Sequence, residues 1–290
     1  MIENTILKAN REGRYALVFA LPFPSFDLIE LAAHVGFDAI TIDGEHGAYS
    51  TESVDNICRL SNACGMSVIA RVPNIAAYQV NLYLDRGIQG VTGPHVETGA
   101  EAQALADACL FPEAGWRSWG GGRGTEFNDP EKIAEYGGQR AFMKWANDNM
   151  IVMAQIESKK AHDNLDDILA VPGLTGVAGG PNDFAASMGL AGQPEHPDRV
   201  AATADIERRA VAAGKSIGAT TFSIGVRDFM FGQAREFCQE NRAKPFFTYL
   251  MTGNSLRLAP RLANRNVSRG RIDYIGRQIK PNKGDLESKP

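Results

Sequence analysis

The stretch Ile151-Val152-Met153-Ala154-Gln155-Ile156-Glu157-Ser158 is an apolar run that ends in polar residues. The chain repeats the pattern soon after, where Leu174-Thr175-Gly176-Val177-Ala178 leads into Gly179-Gly180-Pro181-Asn182-Asp183. Short apolar runs of this length suit buried parallel strands. Polar residues gathered at the C-terminal ends of successive parallel strands are where an α/β barrel places its chemistry.

Outward from these two runs, strand patterns alternate with helical ones along the chain. Strands are expected at 15–20, 39–43, 67–71, 90–92, 151–156, 175–178, 217–222 and 245–250. Amphipathic helices are expected between them, at 27–35, 53–64, 76–85, 100–109, 160–169 and 199–213. Eight strands, each followed by a helix, give an α/β fold of the (β/α)8 TIM-barrel type. A doubly wound open sheet would carry a glycine-rich phosphate turn after the first strand, and none follows residues 15–20. The expected organisation is a single barrel domain over 1–265 and a polar tail over 266–290. Residues 111–150 form a long excursion after the fourth strand, with Gly120-Gly121-Gly122-Arg123-Gly124 inside it. Loops of this length commonly act as lids or covers.

With 290 residues and 44% hydrophobic content the chain can bury a large core, and a net charge of −4 gives no case for nucleic acid or an anionic membrane surface. The apolar stretch 15–23 follows basic residues, but prolines close it and no small-residue cleavage site follows, so it reads as a first strand. No segment approaches the roughly 20 apolar residues of a spanning helix. Cys58, Cys64, Cys109 and Cys238 lack metal or redox spacing, which implies free thiols and a cytoplasmic location.

Gln155 and Glu157 are two residues apart on one strand and so face the same side, the barrel interior. A carboxylate there needs a cation or hydrogen bonds to offset its burial. Glu157 could instead cap the next helix, but Asp183 occupies the equivalent place on the following strand. Two such carboxylates suit a hard divalent ion that leaves positions for water and substrate. Gly179-Gly180-Pro181-Asn182-Asp183 also reads as an anion cradle, or as a plain turn. His46, in Ile42-Asp43-Gly44-Glu45-His46-Gly47, lies at a strand's catalytic end among carboxylates and is a candidate general base or acid. His95 also follows a strand, and its role stays open. Arg71 ends the third strand, where it can stabilise a developing oxyanion or simply pair with a nearby acid. No strand interior holds a lysine, which disfavours imine chemistry.

Together, 37–47, Ala70-Arg71-Val72-Pro73, Gln155-Ile156-Glu157-Ser158 and Gly180-Pro181-Asn182-Asp183 resemble the metal-dependent class II pyruvate aldolases. That family is typified by 4-hydroxy-2-oxoheptanedioate aldolase and 2-dehydro-3-deoxyglucarate aldolase, within the phosphoenolpyruvate/pyruvate barrel superfamily. Residues 87–102 and 111–117 follow its course too, and the resemblance runs over about 13–215. It implies that Glu157 and Asp183 bind Mg²⁺ or Mn²⁺, with Co²⁺ a further candidate, together with a 2-oxo acid. Gln155, Asn182 and Asp183 would hold that acid, His46 would be the base, and Arg71 would stabilise the carbonyl. Asp85 would raise the basicity of His46. Its expected place at a helix end, opposite the active face, leaves three alternatives: the helix boundary lies elsewhere, Asp85 comes from a neighbouring subunit, or Asp43 takes its role.

The implied reaction is reversible aldol cleavage of a 4-hydroxy-2-oxo acid to pyruvate and an aldehyde, with oxaloacetate decarboxylation through the same enolate. The implied assembly is a homo-oligomer, with hexamers known in the family. Residues 216–290 depart from the family pattern, notably Thr220-Thr221-Phe222 and Phe246-Phe247-Thr248-Tyr249. Val18, Phe19, Trp119 and Phe184 are bulkier than usual, so the aldehyde partner is expected to differ from that of typical members. Two other readings are an acyl-CoA lyase of the citrate-lyase-β type and a barrel that binds a 2-oxo acid without turnover. The first lacks a basic patch for the CoA phosphates, and the second has no need of a base.

Overall fold

The run Ala39-Ile40-Thr41-Ile42-Asp43 is rich in β-branched residues and forms a strand that ends on its aspartate. The computed structural model describes residues 1–217 and the short strands at 221–222, 249–252 and 255–258. Its main strands are β1 (Val18–Ala20), β2 (Ala39–Asp43), β3 (Ser67–Arg71), β4 (Gly90–Gly93), β5 (Ile151–Ile156) and β6 (Gly176–Gly179). They pair in sequence order, each parallel to the next. β2, β3 and β5 have the expected bounds, and the others differ only at their ends.

Helix α1 (Thr5–Arg11) precedes the sheet and has no counterpart among the expected elements. Behind the strands follow α2 (Phe26–Val35), α3 (Thr51–Ala63), α4 (Ala77–Asp85) and α5 (Gly99–Cys109). Ser25, Ser50 and Thr98 start α2, α3 and α5 by accepting a backbone N–H on the side-chain oxygen. After β5 the expected single helix is two, α8 (Lys159–Asp163) and α9 (Leu165–Leu169), followed by α10 (Pro181–Ser187) and α11 (Pro197–Ala212).

The sheet has two apolar faces. Its outer side packs Ile40, Val68, Val91, Val152 and Val177 against the helices, among them Ile57, Leu84 and Leu105. Its inner side gathers Val18, Ala39, Ile69, Ile151 and Met153 around Ile6 and Ala9 of α1. Adjacent residues of one strand thus belong to different cores, as the two-residue period of a strand requires. Asn4 fixes α1 as a plug, donating from Nδ2 to the carbonyls of Gln89 (2.9 Å) and Asn149 (3.0 Å).

Three expectations change. The strand expected at 217–222 is two short pieces, β7 (Ser216–Ile217) beside β6 and β8 (Thr221–Phe222) beside β1. They end the ladder on opposite sides and are not paired with each other among the described residues. In place of the expected strand at 245–250, β9 (Tyr249–Thr252) pairs antiparallel with β10 (Ser255–Leu258). An adjacent antiparallel partner needs no crossover, so this local pairing is available without the rest of the sheet. Residues 245–248, Cys238, the domain boundary at 265 and the tail 266–290 lie outside the described residues.

Third, the excursion 111–150 is not a lid over the catalytic end of its own sheet. It carries a 3-10 segment (Arg123–Asn128), α6 (Pro130–Glu135) and α7 (Gln139–Asp148). It begins after α5, at the end of the fold where strands start. Arg117 donates to the carbonyls of Leu84 and Gly124 there, and Phe111, Trp119, Tyr136, Phe142 and Trp145 form a separate aromatic core.

Candidate active site

The register of β2 with β3 sets Asp43 opposite Arg71, the last residue of each strand. The Arg71 guanidinium is held on both sides. Its Nε donates to Asp43 Oδ1 at 2.9 Å, Nη2 pairs with Asp43 Oδ2, and Nη1 lies 2.9 Å from Glu45 Oε2. The salt bridge considered for Arg71 is therefore present, yet the residue stays at the mouth of the sheet. Asp43 Oδ1 also accepts the backbone N–H groups of Glu45 (3.1 Å) and His46 (3.2 Å), shaping the turn after β2. Gly44 is needed in that turn, because a Cβ would collide with the Tyr83 hydroxyl.

His46 projects from this turn with its side chain 66% exposed, and its Nε2 lies 3.8 Å from Glu45 Oε2. Asp43 thus holds the backbone of His46, while its carboxylate serves Arg71. Asp85, the other proposed partner of His46, ends α4 at the opposite end of the fold. Added side chains at Gly120 or Gly122 would run into it, and its charge acts on Arg117. Within one chain the structure does not bring Asp85 to His46.

His95, left open by the sequence, belongs to the site. Its backbone N–H donates to Glu157 Oε1 at 2.8 Å, its Nδ1 is 3.0 Å from the same oxygen, and its Nε2 is 3.1 Å from Glu45 Oε1. Gln155 Nε2 donates to Glu157 Oε2. Ser158, not Glu157, caps α8 by accepting from Ala161 N at 3.1 Å, which leaves the Glu157 carboxylate free of that task. Asp183 stands in the first turn of α10 and is exposed, as is Asn182. Glu45 and His95 were not among the expected site residues. His95 directly follows Gly93-Pro94 at a strand's C-terminal end, the signal that marked the others.

The family model described as HpcH/HpaI aldolase/citrate lyase matches residues 17–241. The chain belongs to this family. A 4-hydroxy-2-oxovalerate aldolase of Novosphingobium aromaticivorans is 34% identical over 234 residues, covering 80% of this chain and 86% of that one. A 4-hydroxy-2-oxo-heptane-1,7-dioate aldolase of Shigella sonnei is 33% identical over 219 residues, covering 75% and 80%. The crystal structure of an HpcH/HpaI aldolase from Desulfitobacterium hafniense shares the fold, with a TM-score of 0.69 at 24% identity, covering 100% of this chain and 98% of that one.

In this HpcH/HpaI chain the electrostatics divide the site in two. Burial works to raise the Asp43 carboxyl, but the Arg71 and backbone hydrogen bonds outweigh it and hold it below the usual carboxylate range. Glu157 goes the other way. Burial pushes its carboxyl above the ordinary value, His95 opposes that, and the charges of Asp183 and Glu45 add to it. A carboxylate destabilised by burial and by two like charges is one that a cation would relieve.

Gly180 lets the backbone that opens α10 approach the Glu157 carboxylate closely, since a Cβ there would collide with Glu157 Oε2. Among the described residues no cluster of three or more metal-type side chains forms. Glu157 and Asp183 offer hard oxygen donors and leave further positions to water and substrate, which fits Mg²⁺ or Mn²⁺ better than a closed zinc site. Lysines are engaged elsewhere: Lys159 with Asp163, Lys160 with Glu97, and Lys215 with the carbonyls of Val171 and Leu174.

Proposed function

We propose that this protein is a metal-dependent carbon–carbon lyase that reversibly cleaves a 4-hydroxy-2-oxo acid to pyruvate and an aldehyde. The observation that carries the reading is that a fixed Arg71 guanidinium and the destabilised carboxylate Glu157 stand at one sheet mouth, linked through Glu45 and His95, in a chain of the aldolase family. Relatives named 4-hydroxy-2-oxovalerate aldolase and 4-hydroxy-2-oxo-heptane-1,7-dioate aldolase, at 34% and 33% identity, support it.

Glu157 and Asp183 would hold Mg²⁺, Mn²⁺ or Co²⁺. Such an ion, when bound, polarises the C2 carbonyl and lowers the cost of the C3 enolate. Gln155 and the backbone at Asn182 and Asp183 hold the oxo acid's carboxylate end. Arg71, kept in place by Asp43 and Glu45, directs its guanidinium donors at the carbonyl oxygen as negative charge develops there. His46 takes the proton from the C4 hydroxyl as C3–C4 breaks and returns it in the condensation direction. Oxaloacetate decarboxylation would draw on the same enolate. Asp85 would serve His46 from a neighbouring copy of the chain, in a homo-oligomer such as a hexamer. The sheet would complete a closed (β/α)8 barrel, and the protein would act in the cytoplasm. No helix of the described residues is long and apolar enough to cross a membrane.

The test is hydrogen exchange at the pyruvate methyl group in D₂O, followed by NMR on chelator-stripped protein. Exchange that appears only on adding Mg²⁺ or Mn²⁺ is expected. Its absence with every metal would reject the pyruvate assignment.

A further inference from the structure

Arg71, Glu45, His95 and Glu157 form one continuous chain of contacts from the end of β3 to the end of β5. Glu45 is its centre, with Oε2 on Arg71 Nη1 at 2.9 Å and Oε1 on His95 Nε2 at 3.1 Å. His95 closes the chain with two contacts to Glu157 Oε1, from its backbone N–H at 2.8 Å and from Nδ1 at 3.0 Å. The two carboxylates are nearly buried, at 12% and 2% side-chain exposure, whereas the imidazole between them is 66% exposed.

The backbone at His95 is in the left-handed region, with φ of 52°. A residue with a Cβ adopts that conformation only where its surroundings fix it. Here it turns the His95 N–H onto Glu157 and lets the ring fold back over the same carboxylate. Each ring nitrogen faces a different carboxylate, and the doubly protonated imidazolium is the form that donates to both sides of the site.

We propose that His95 is a positioning residue that sets the spacing between Arg71 and the cation-holding carboxylate Glu157. This rests on reading the site as that of a 2-oxo-acid aldolase. One arm of the imidazole fixes Glu157, whose carboxylate lies against the Gly180 backbone and within the charge influence of Asp183. The other arm fixes Glu45, which orients Arg71 from the side opposite Asp43. The carbonyl oxygen of the oxo acid must meet Arg71 and the ion held by Glu157 at once, so the bridge governs transition-state geometry more than substrate capture. Partners that orient a metal ligand are typically worth about 10–100-fold in affinity or activity.

The experiment uses the full-length protein and three variants, His95→Ala, His95→Asn and His95→Gln. Mn²⁺ affinity is measured by EPR without substrate, and kcat and KM by pyruvate methyl exchange. His95→Ala should bind Mn²⁺ about tenfold more weakly and lose about tenfold or more in kcat, with KM for pyruvate little changed. Asparagine keeps a donor at the Nδ1 position and should restore Mn²⁺ affinity while kcat stays low. Glutamine keeps a donor at the Nε2 position and should restore part of kcat while Mn²⁺ affinity stays weak. A merely structural role would not separate the two variants in this way. If circular dichroism shows that the alanine variant does not fold, the asparagine and glutamine pair decides alone. An alanine variant that matches the wild type in both readouts, or asparagine and glutamine variants that both lose affinity and kcat together, overturns the proposal. Failure of the aldolase reading looks different: the wild type itself shows no metal-dependent exchange.

Discussion

Arg71 is held by two carboxylates and faces a third, and this arrangement decides what it can do. Asp43 accepts two of its hydrogen bonds and the Glu45 carboxylate lies 2.9 Å from a third nitrogen, so the guanidinium plane is fixed before any substrate arrives. Burial disfavours its charge, yet the Asp43 hydrogen bonds and the charges of Asp43, Glu45 and Glu157 outweigh that and raise its pKa further. Arg71→Lys should therefore keep the charge and lose the geometry, because an ammonium cannot match the fork that binds Asp43. A loss of about 10²-fold or more in kcat is expected, comparable to removing one oxyanion donor. The melting temperature should change little. Parallel kinetics and thermal melts check this, and a variant with wild-type kcat would remove Arg71 from the mechanism. Most of these residues were legible in the sequence because the end of an apolar run is a visible place, and Asp43, Arg71, Gln155 and Glu157 each occupy one. Glu45 and His95 were harder to place. Their contact joins the loops after β2 and β4 across β3, and no sequence spacing encodes a contact between loops of different strands.

At the scale of elements, strength of local signal separates what the sequence foretold from what it missed. β2, β3 and β5 have long apolar runs and appear at their expected bounds. The stretch expected as one helix after β5 splits at Asn164, whose N–H closes the last turn of α8 and whose Nδ2 donates to the Glu97 carbonyl. The short helix that results is held from outside. His162 of α8 meets Asp205 of α11 at 3.0 Å and packs edge-on to Phe184 of α10, the residue next to Asp183. Hydrogen bonds from His162, Arg208 and Arg209 outweigh burial and draw the Asp205 carboxyl from 3.8 down to about 2. A depressed carboxyl contributes stability that is present above its unfolded pKa of about 3.9 and lost as pH falls toward the folded value. Asp205→Asn should thus lower stability near neutrality by at most about 1 kcal/mol, since the group is partly exposed and screened. The gap between variant and wild type should close as pH drops from about 4 to about 2. Denaturation midpoints measured across that range give the answer, and a gap independent of pH would show that Asp205 does not act through its charge.

The whole molecule keeps its two ends distinct. Where strands finish, Asp43, Arg71, His95 and Glu157 converge, and Gly180 lets the start of α10 pack closely against Glu157. Where strands begin, α1 plugs the inner core and the 111–150 excursion packs over the end of α4. Asp85 belongs to this second end. It lies against Gly120 and Gly122 and beside Arg117, a fully buried guanidinium that burial lowers to about 10 and Asp85 opposes. A rigid sheet cannot bring that carboxylate to His46 of the same chain, because the whole length of the strands intervenes. If Asp85 takes part in catalysis, it does so in another copy. The consequence is measurable with two defective proteins. Asp85→Ala and His46→Ala should each have low activity alone, the first because every site lacks its visiting carboxylate and the second because every site lacks its base. Mixed under conditions that exchange subunits, they should regain part of the wild-type rate, since a mixed interface can join an intact His46 to an intact Asp85. A mixture no more active than its components, with exchange verified by native mass spectrometry, would confine Asp85 to bracing Arg117 and the glycine loop.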